Sequence, residues 1–109
     1  MTITSHYADG ALIVCLSGEL DHHSAAQALR ETRQILDRFL PKSCALDLSQ
    51  LTFMDSSGVA YILRVGKILR SYGASFRLLD PAEQPDRVIG ASGLDRLVRV
   101  KRTERESIL

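Results

Sequence analysis

The fold is decided by residues 44–79, which read CALDLSQLTFMDSSGVAYILRVGKILRSYGASFRLL. This stretch begins with a short apolar strand from Cys44 to Leu48. A helix is predicted to begin at residues 55–58, and its apolar residues recur on one face until Gly73, a residue typical of helix C-caps. Ser75 to Leu79 then predicts a further strand. Strand, helix and strand in this order predict parallel strands joined by a right-handed crossover.

The residues upstream of this unit predict a hairpin and a first helix. Residues 12–16 are continuously apolar and predict a strand that is buried on both faces. The weaker stretch from Ile3 to Tyr7 precedes it across Asp9-Gly10, which is the pattern of an antiparallel hairpin. A Ser-x-x-Gln capping box at residues 24–27 then predicts a helix that ends before Pro41.

The residues downstream complete an alternating order of strands and helices. Asp86 to Ala91 predicts a short helix, and Leu97 to Val100 predicts a last strand. The whole order predicts a single α/β domain over residues 1–109, in which the hairpin leads into a mostly parallel mixed sheet flanked by helices. The tail has a Thr-x-x-Glu capping box at residues 103–106 but little apolar surface to bury, so a terminal helix there is marginal.

Composition and charge exclude several classes of function. The chain has 109 residues, 45% of them hydrophobic, which suffices for one core without metals or disulfides. A formal net charge of +1 is too small to favour binding to nucleic acid or to an anionic membrane. The sequence has neither a membrane-spanning apolar run nor a signal peptide, so we expect a cytoplasmic protein. Cys15 and Cys44 lie in apolar stretches and are expected to be buried, reduced thiols.

The segment Asp55-Ser56-Ser57-Gly58 is the first candidate for chemistry. It places two hydroxyls and a carboxylate at the start of a helix, where free backbone N–H groups and the helix dipole favour negative charge. A phosphoryl group on one hydroxyl is therefore tolerable there. The alternative is structural, because any of the three polar residues suits a helix N-cap. One cap, however, does not explain why the loop offers three such residues.

The loop at residues 18–23, Gly-Glu-Leu-Asp-His-His, is the second candidate. Adjacent histidines rarely converge on one ion, and only His6 remains to complete a ligand set, so a solvated loop is favoured over a metal site. An alternative is that the Asp and His residues of this loop form the catalytic triad of a hydrolase with Ser56. The sequence, however, lacks a G-x-S-x-G nucleophile elbow. It also lacks a phosphate-binding glycine loop, and no cofactor is predicted.

These two motifs resemble those of the STAS-domain anti-sigma factor antagonists. The resemblance rests on residues 18–23 and on residues 51–58, LTFMDSSG, and it extends from the first hairpin to at least Val100. Within that family it is greatest to members that act in sporulation. It implies a small mixed sheet flanked by helices and a regulator of transcription that is not an enzyme.

The resemblance also implies a partner switch. In such proteins the unphosphorylated antagonist binds an anti-sigma factor that is also a serine kinase, and the sigma factor is released. Phosphorylation of the antagonist ends the binding, and a serine phosphatase resets it. Carried onto this sequence, the phosphoacceptor is Ser56, and Asp55, Ser57 and Gly58 shape its loop.

The resemblance also implies that Asp21, His22 and His23 of the other loop form part of the partner-binding surface. The alternative is a STAS scaffold or accessory subunit that works without phosphorylation, like the STAS subunits of lipid-transport systems. The intact Asp-Ser-Ser-Gly segment favours the switch.

One segment departs from the family pattern. The chain is slightly longer between Pro81 and Ser92, and it places Pro85 where the third helix usually starts. Because proline disrupts a helix interior, we expect this helix to begin late, near Asp86.

Overall fold

The computed structural model describes residues 1–103 and confirms the predicted order of strands and helices. The elements of that part of the chain are β1 (Thr2–Ala8), β2 (Ala11–Leu20), α1 (Ala25–Phe39), β3 (Ser43–Met54), α2 (Ser56–Ser71), β4 (Ser75–Leu79), α3 (Glu83–Ser92), a 3₁₀ turn (Leu94–Arg96) and β5 (Arg99–Lys101). The strands lie side by side in the order β1 to β5. β1 pairs antiparallel with β2, and the remaining pairs are parallel.

The predicted hairpin is confirmed, and its turn has a local cause. Asp9 and Gly10 have φ values of 51° and 84°, so both occupy the left-handed region. Two such residues between paired strands form the mirror-image turn whose twist matches that of the strands. The Asp-Gly pair suits it because aspartate and glycine tolerate positive φ.

The helices cover one face of the sheet. Successive parallel strands are added in one direction, so right-handed crossovers place every connecting helix on the same face. Leu12, Val14 and Leu16 of β2 point into the resulting core, whereas Ile13 and Cys15 between them are partly exposed. The prediction that residues 12–16 are buried on both faces is therefore wrong.

The two thiols differ for the same reason. Cys44 is fully buried in the core, as predicted, and burial raises its pKa to about 12 against a smaller opposing effect of Arg77. Cys15 is partly exposed on the uncovered face, contrary to the prediction, with its Sγ 3.9 Å from a carboxylate oxygen of Asp47. Burial, with Asp47 beside it, raises the pKa of Cys15 as well. Neither thiol is activated.

The third helix begins earlier than predicted. Its first helical hydrogen bond runs from the Asp86 N–H to the carbonyl of Ala82 at 2.9 Å, so the helix begins at Glu83 rather than near Asp86. Pro85 lies buried within the first turn. N–H groups of a first turn have no partner within the helix, so proline removes nothing there.

The last elements differ slightly from their predicted bounds. β5 is shorter than the predicted Leu97 to Val100 strand and is preceded by the 3₁₀ turn. Most of the capping box predicted at residues 103–106 lies outside the described residues. Within residues 1–103, no helix is long and apolar enough to cross a membrane.

Candidate functional site

The candidate loops meet because β3 is longer than the sequence predicts. The strand continues past Leu48 to Met54, and its last residue lies opposite Leu20 at the end of β2. The N–H of Asp55 then donates to the carbonyl of Leu20 at 3.4 Å. Both loops therefore follow the carboxyl ends of adjacent parallel strands, the edge at which α/β sheets place their sites.

Asp55 is the N-cap of α2. Its side chain accepts a hydrogen bond from the Ser57 N–H at 2.8 Å, and its carbonyl accepts one from Gly58 at 3.0 Å. The structural alternative therefore accounts for the aspartate alone. Both serine hydroxyls are left out of the cap and are available for other contacts.

The two neighbouring serines face different sides of α2. Ser56 is exposed and lines a groove of about 360 Å³ between α2 and α3, hereafter the α2–α3 groove. The other residues of that groove are Val59, Val88, Ala91 and Ser92. Ser57 is half-buried and lines the α1–α2 groove, of about 410 Å³. That groove also contains His22, Ala25, Ala26, Leu29, Ala60, Tyr61 and Arg64. Ser56 thus lies beside aliphatic side chains, whereas Ser57 shares its groove with His22 and the guanidinium of Arg64.

Gly58 occupies the inward side of the same turn. A Cβ atom at this position would lie 2.3 Å from the Cγ of Met54 and 3.2 Å from a methyl group of Leu20. Glycine is therefore required for the helix to start this close to the ends of β2 and β3. The absence of a side chain at Gly58 therefore lets the first turn of α2 pack against Met54 and Leu20.

The loop before α1 is organised by Asp21 rather than by the predicted capping box. Its carboxylate accepts hydrogen bonds from the N–H groups of His23 at 2.9 Å and Ser24 at 3.1 Å. The Ser24 hydroxyl donates to the carbonyl of Glu19 at 2.8 Å and does not cap the helix, so the capping-box prediction is wrong. Although burial acts in the opposite direction, these N–H donors hold the pKa of Asp21 below its usual value.

The two histidines of this loop are exposed, with ring centroids 3.9 Å apart. His22 borders the groove that contains Ser57, not the one that contains Ser56. Because the Asp21 carboxylate bonds to backbone N–H groups, the structure does not assemble a Ser56-His-Asp triad. Within residues 1–103, no three His, Cys, Asp or Glu side chains cluster as metal ligands would.

One residue of the site was missed by sequence reasoning. The side-chain amide of Gln84 accepts a hydrogen bond from the Met54 N–H at 2.8 Å and donates one to the Met54 carbonyl at 3.0 Å. It thereby ties α3 to the residue directly before the Asp55 cap. No local pattern marks this glutamine, since its partner lies thirty positions away in the chain.

The fold and this pair of loops define a class of protein. The sequence pattern of the STAS domain matches residues 2–107, and the chain belongs to that family. An anti-sigma F factor antagonist of Paenibacillus polymyxa is 32% identical over 100 residues, which cover 92% of this chain and 86% of the relative.

Solved structures agree with this placement. The unphosphorylated form of the anti-sigma factor antagonist SpoIIAA superposes with a TM-score of 0.77 at 27% identity, covering 98% of this chain and 93% of SpoIIAA. The phosphorylated form of the Bacillus cell fate determinant SpoIIAA superposes with a TM-score of 0.68, also at 27% identity, covering 98% of this chain and 96% of SpoIIAA.

Proposed function

We propose that this chain is an anti-sigma factor antagonist whose activity is switched by phosphorylation of Ser56. In this proposal, the unphosphorylated chain binds an anti-sigma factor that has serine kinase activity, and the sigma factor is set free. Phosphorylation of Ser56 ends the binding, and a serine phosphatase restores it. The observation that carries the proposal is the exposed Ser56 hydroxyl, left outside the helix cap that Asp55 makes.

The relatives support this proposal. The Paenibacillus polymyxa relative is an anti-sigma F factor antagonist, and SpoIIAA exists in an unphosphorylated and a phosphorylated form. The chain spans most of the length of both relatives. We therefore propose the role of antagonist for this chain. We also propose that it acts in the cytoplasm, in a process such as sporulation.

Charge explains how the switch works. A phosphate on Ser56 adds about −1.5 to −2 charges at neutral pH, beside the Asp55 carboxylate. The N-terminus of α2 partly offsets this charge within the free chain, so we expect its fold to change little. A partner that covers the loop must desolvate the phosphate and accommodate its bulk. Phosphorylation therefore lowers the affinity for the partner and leaves the stability of the free chain nearly unchanged.

The loop of Asp21, His22 and His23 forms the second part of the proposed partner surface. It lies beside the Ser56 loop because β2 and β3 end together, and both histidine rings are exposed. In this proposal the chain performs no chemistry itself. Ser56 is a substrate, and the kinase partner supplies ATP and the catalytic groups.

The test is complex formation with a purified anti-sigma factor kinase, followed by size-exclusion chromatography with and without ATP. The chain should co-elute with the kinase and leave it after ATP is added. Ser56→Ala should co-elute in both conditions because it cannot be phosphorylated. A wild-type chain that binds its partner but takes up no phosphate from ATP would contradict the switch and favour the scaffold alternative.

A further inference from the structure

The end of β3 has an unusual neighbour on the side away from β2. β4 pairs with β3 only as far as Asp47, opposite Leu79, whereas β3 continues to Met54. Beyond that point the N-terminus of α3 replaces the missing strand, and the Ala82 N–H donates to the carbonyl of Leu48 at 3.3 Å. At the far end, Gln84 pairs with both backbone groups of Met54.

This double hydrogen bond is needed because Met54 is fully buried. Buried backbone N–H and C=O groups must find partners, and a primary amide offers one acceptor and one donor in the geometry of a neighbouring strand. The Gln84 amide therefore closes the sheet where β4 has already ended. Loss of this side chain would leave two backbone groups of Met54 without their partners.

We propose that Gln84 is a positioning residue for the phosphoacceptor loop. Met54 directly precedes the Asp55 cap and Ser56, and its side chain lies where Gly58 must have no Cβ. By fixing Met54, Gln84 fixes the Ser56 hydroxyl relative to α3. A kinase then meets the serine and the α2–α3 groove as one rigid surface.

The first experiment measures amide hydrogen exchange in the free chain by NMR. Gln84→Ala should speed exchange of the Met54 amide by about tenfold or more, with smaller increases at Asp55, Ser56 and Ser57. Gln84→Glu should lie between wild type and alanine, because a carboxylate still accepts from the Met54 N–H but cannot donate to its carbonyl. Gln34→Ala, at an exposed position of α1, is the matched control and should leave these amides unchanged.

The second experiment measures phosphorylation kinetics, and this part rests on the proposed function. Gln84→Ala should lower kcat for phosphorylation of Ser56 by about tenfold to 100-fold with little change in KM, because a misplaced hydroxyl reacts slowly once bound. Gln84→Glu should recover part of the rate, and Gln34→Ala should match wild type. Melting curves should show that every variant is folded at the assay temperature.

The outcomes separate the two proposals. A wild-type chain that the kinase does not phosphorylate at Ser56 contradicts the proposed function, and the exchange rates alone then decide whether Gln84 holds the loop. Equal exchange at Met54 in Gln84→Ala and Gln34→Ala overturns the positioning role. Faster exchange at Met54 in Gln84→Ala with an unchanged kcat also overturns it, because phosphorylation would then not depend on how firmly the loop is held.

Discussion

Ser56 and Ser57 are adjacent in the first turn of α2, but they lie on different sides of the helix and have different surroundings. Ser56 is exposed beside the aliphatic side chains of the α2–α3 groove, and Ser57 is half-buried beside His22 and Arg64 in the α1–α2 groove. Ser56 is therefore more accessible from outside than Ser57. Adjacent residues at the start of a helix can thus have separate roles, because successive side chains point in directions about 100° apart around the helix axis.

The largest expected effect separates these two hydroxyls. With the cognate kinase and ATP, Ser56→Ala should reduce phosphate incorporation to background, whereas Ser57→Ala should stay near the wild-type level. Ser57 contributes its backbone N–H to the Asp55 cap, and alanine keeps that group. Phosphopeptide mapping of the wild-type chain identifies the labelled serine. Phosphate found on Ser57 would overturn the assignment of Ser56 as the phosphoacceptor.

The next effect concerns the inward side of the same turn. Gly58→Ala should destabilise the fold by about 1–3 kcal/mol, because the new Cβ would overlap Met54. The control is Gly90→Ala in α3, where the added Cβ would have no atom within 4 Å beyond its chain neighbours and the local helix backbone, and alanine should stabilise the helix by roughly 0.5–1 kcal/mol. Urea unfolding measures both. Equal effects of the two substitutions would show that α2 does not pack this tightly.

A smaller effect tests whether Asp55 alone caps the helix. Asp55→Ala should cost about 1 kcal/mol of unfolding free energy, while Asp55→Asn, which keeps a side-chain oxygen for the Ser57 N–H, should cost much less. Thermal unfolding distinguishes them. If Asp55→Ala were as stable as Asp55→Asn, the cap would be supplied by a serine, and the hydroxyls would not be free.

The smallest effect is a pH dependence in the neighbouring loop. The pKa of Asp21 is lowered by hydrogen bonds from His23 and Ser24, so its contribution to stability is present above the ordinary value of 3.8 and is lost as the pH falls below it. Asp21→Asn should therefore lose less stability than wild type between about pH 4 and pH 2. Identical acid unfolding of the two chains would mean that the loop is not held by this carboxylate.

The sequence predicts the parts of this molecule that depend on local patterns. The Asp9-Gly10 turn, the helix from Ala25 to Phe39 and the helix start at Asp55 are all found where residue spacing places them. Pro85 shows the limit of such reasoning. Proline breaks a helix interior but is harmless in a first turn, and only the Asp86 to Ala82 hydrogen bond reveals which applies.

The remaining features depend on residues that are distant in the chain. The length of β3 follows from its pairing with β2, and the Gln84 amide finds its partner only when α3 packs against the end of that strand. Tertiary contacts override the local preference at both positions. Ser24 differs, because its hydroxyl bonds to the carbonyl of Glu19 in the same loop instead of capping α1, so one local contact replaces another there.

The most direct test of the partner switch is titration calorimetry of the anti-sigma factor with unmodified and Ser56-phosphorylated chain. To turn a partner from almost fully bound to almost fully free takes about 5.5 kcal/mol, or roughly 10⁴-fold in affinity. We expect a loss approaching this size on phosphorylation, full affinity for Ser56→Ala, and a smaller loss for Ser56→Asp, which carries one charge and a shorter reach. Equal affinities of the unmodified and phosphorylated chains would contradict the switch, even if Ser56 were phosphorylated.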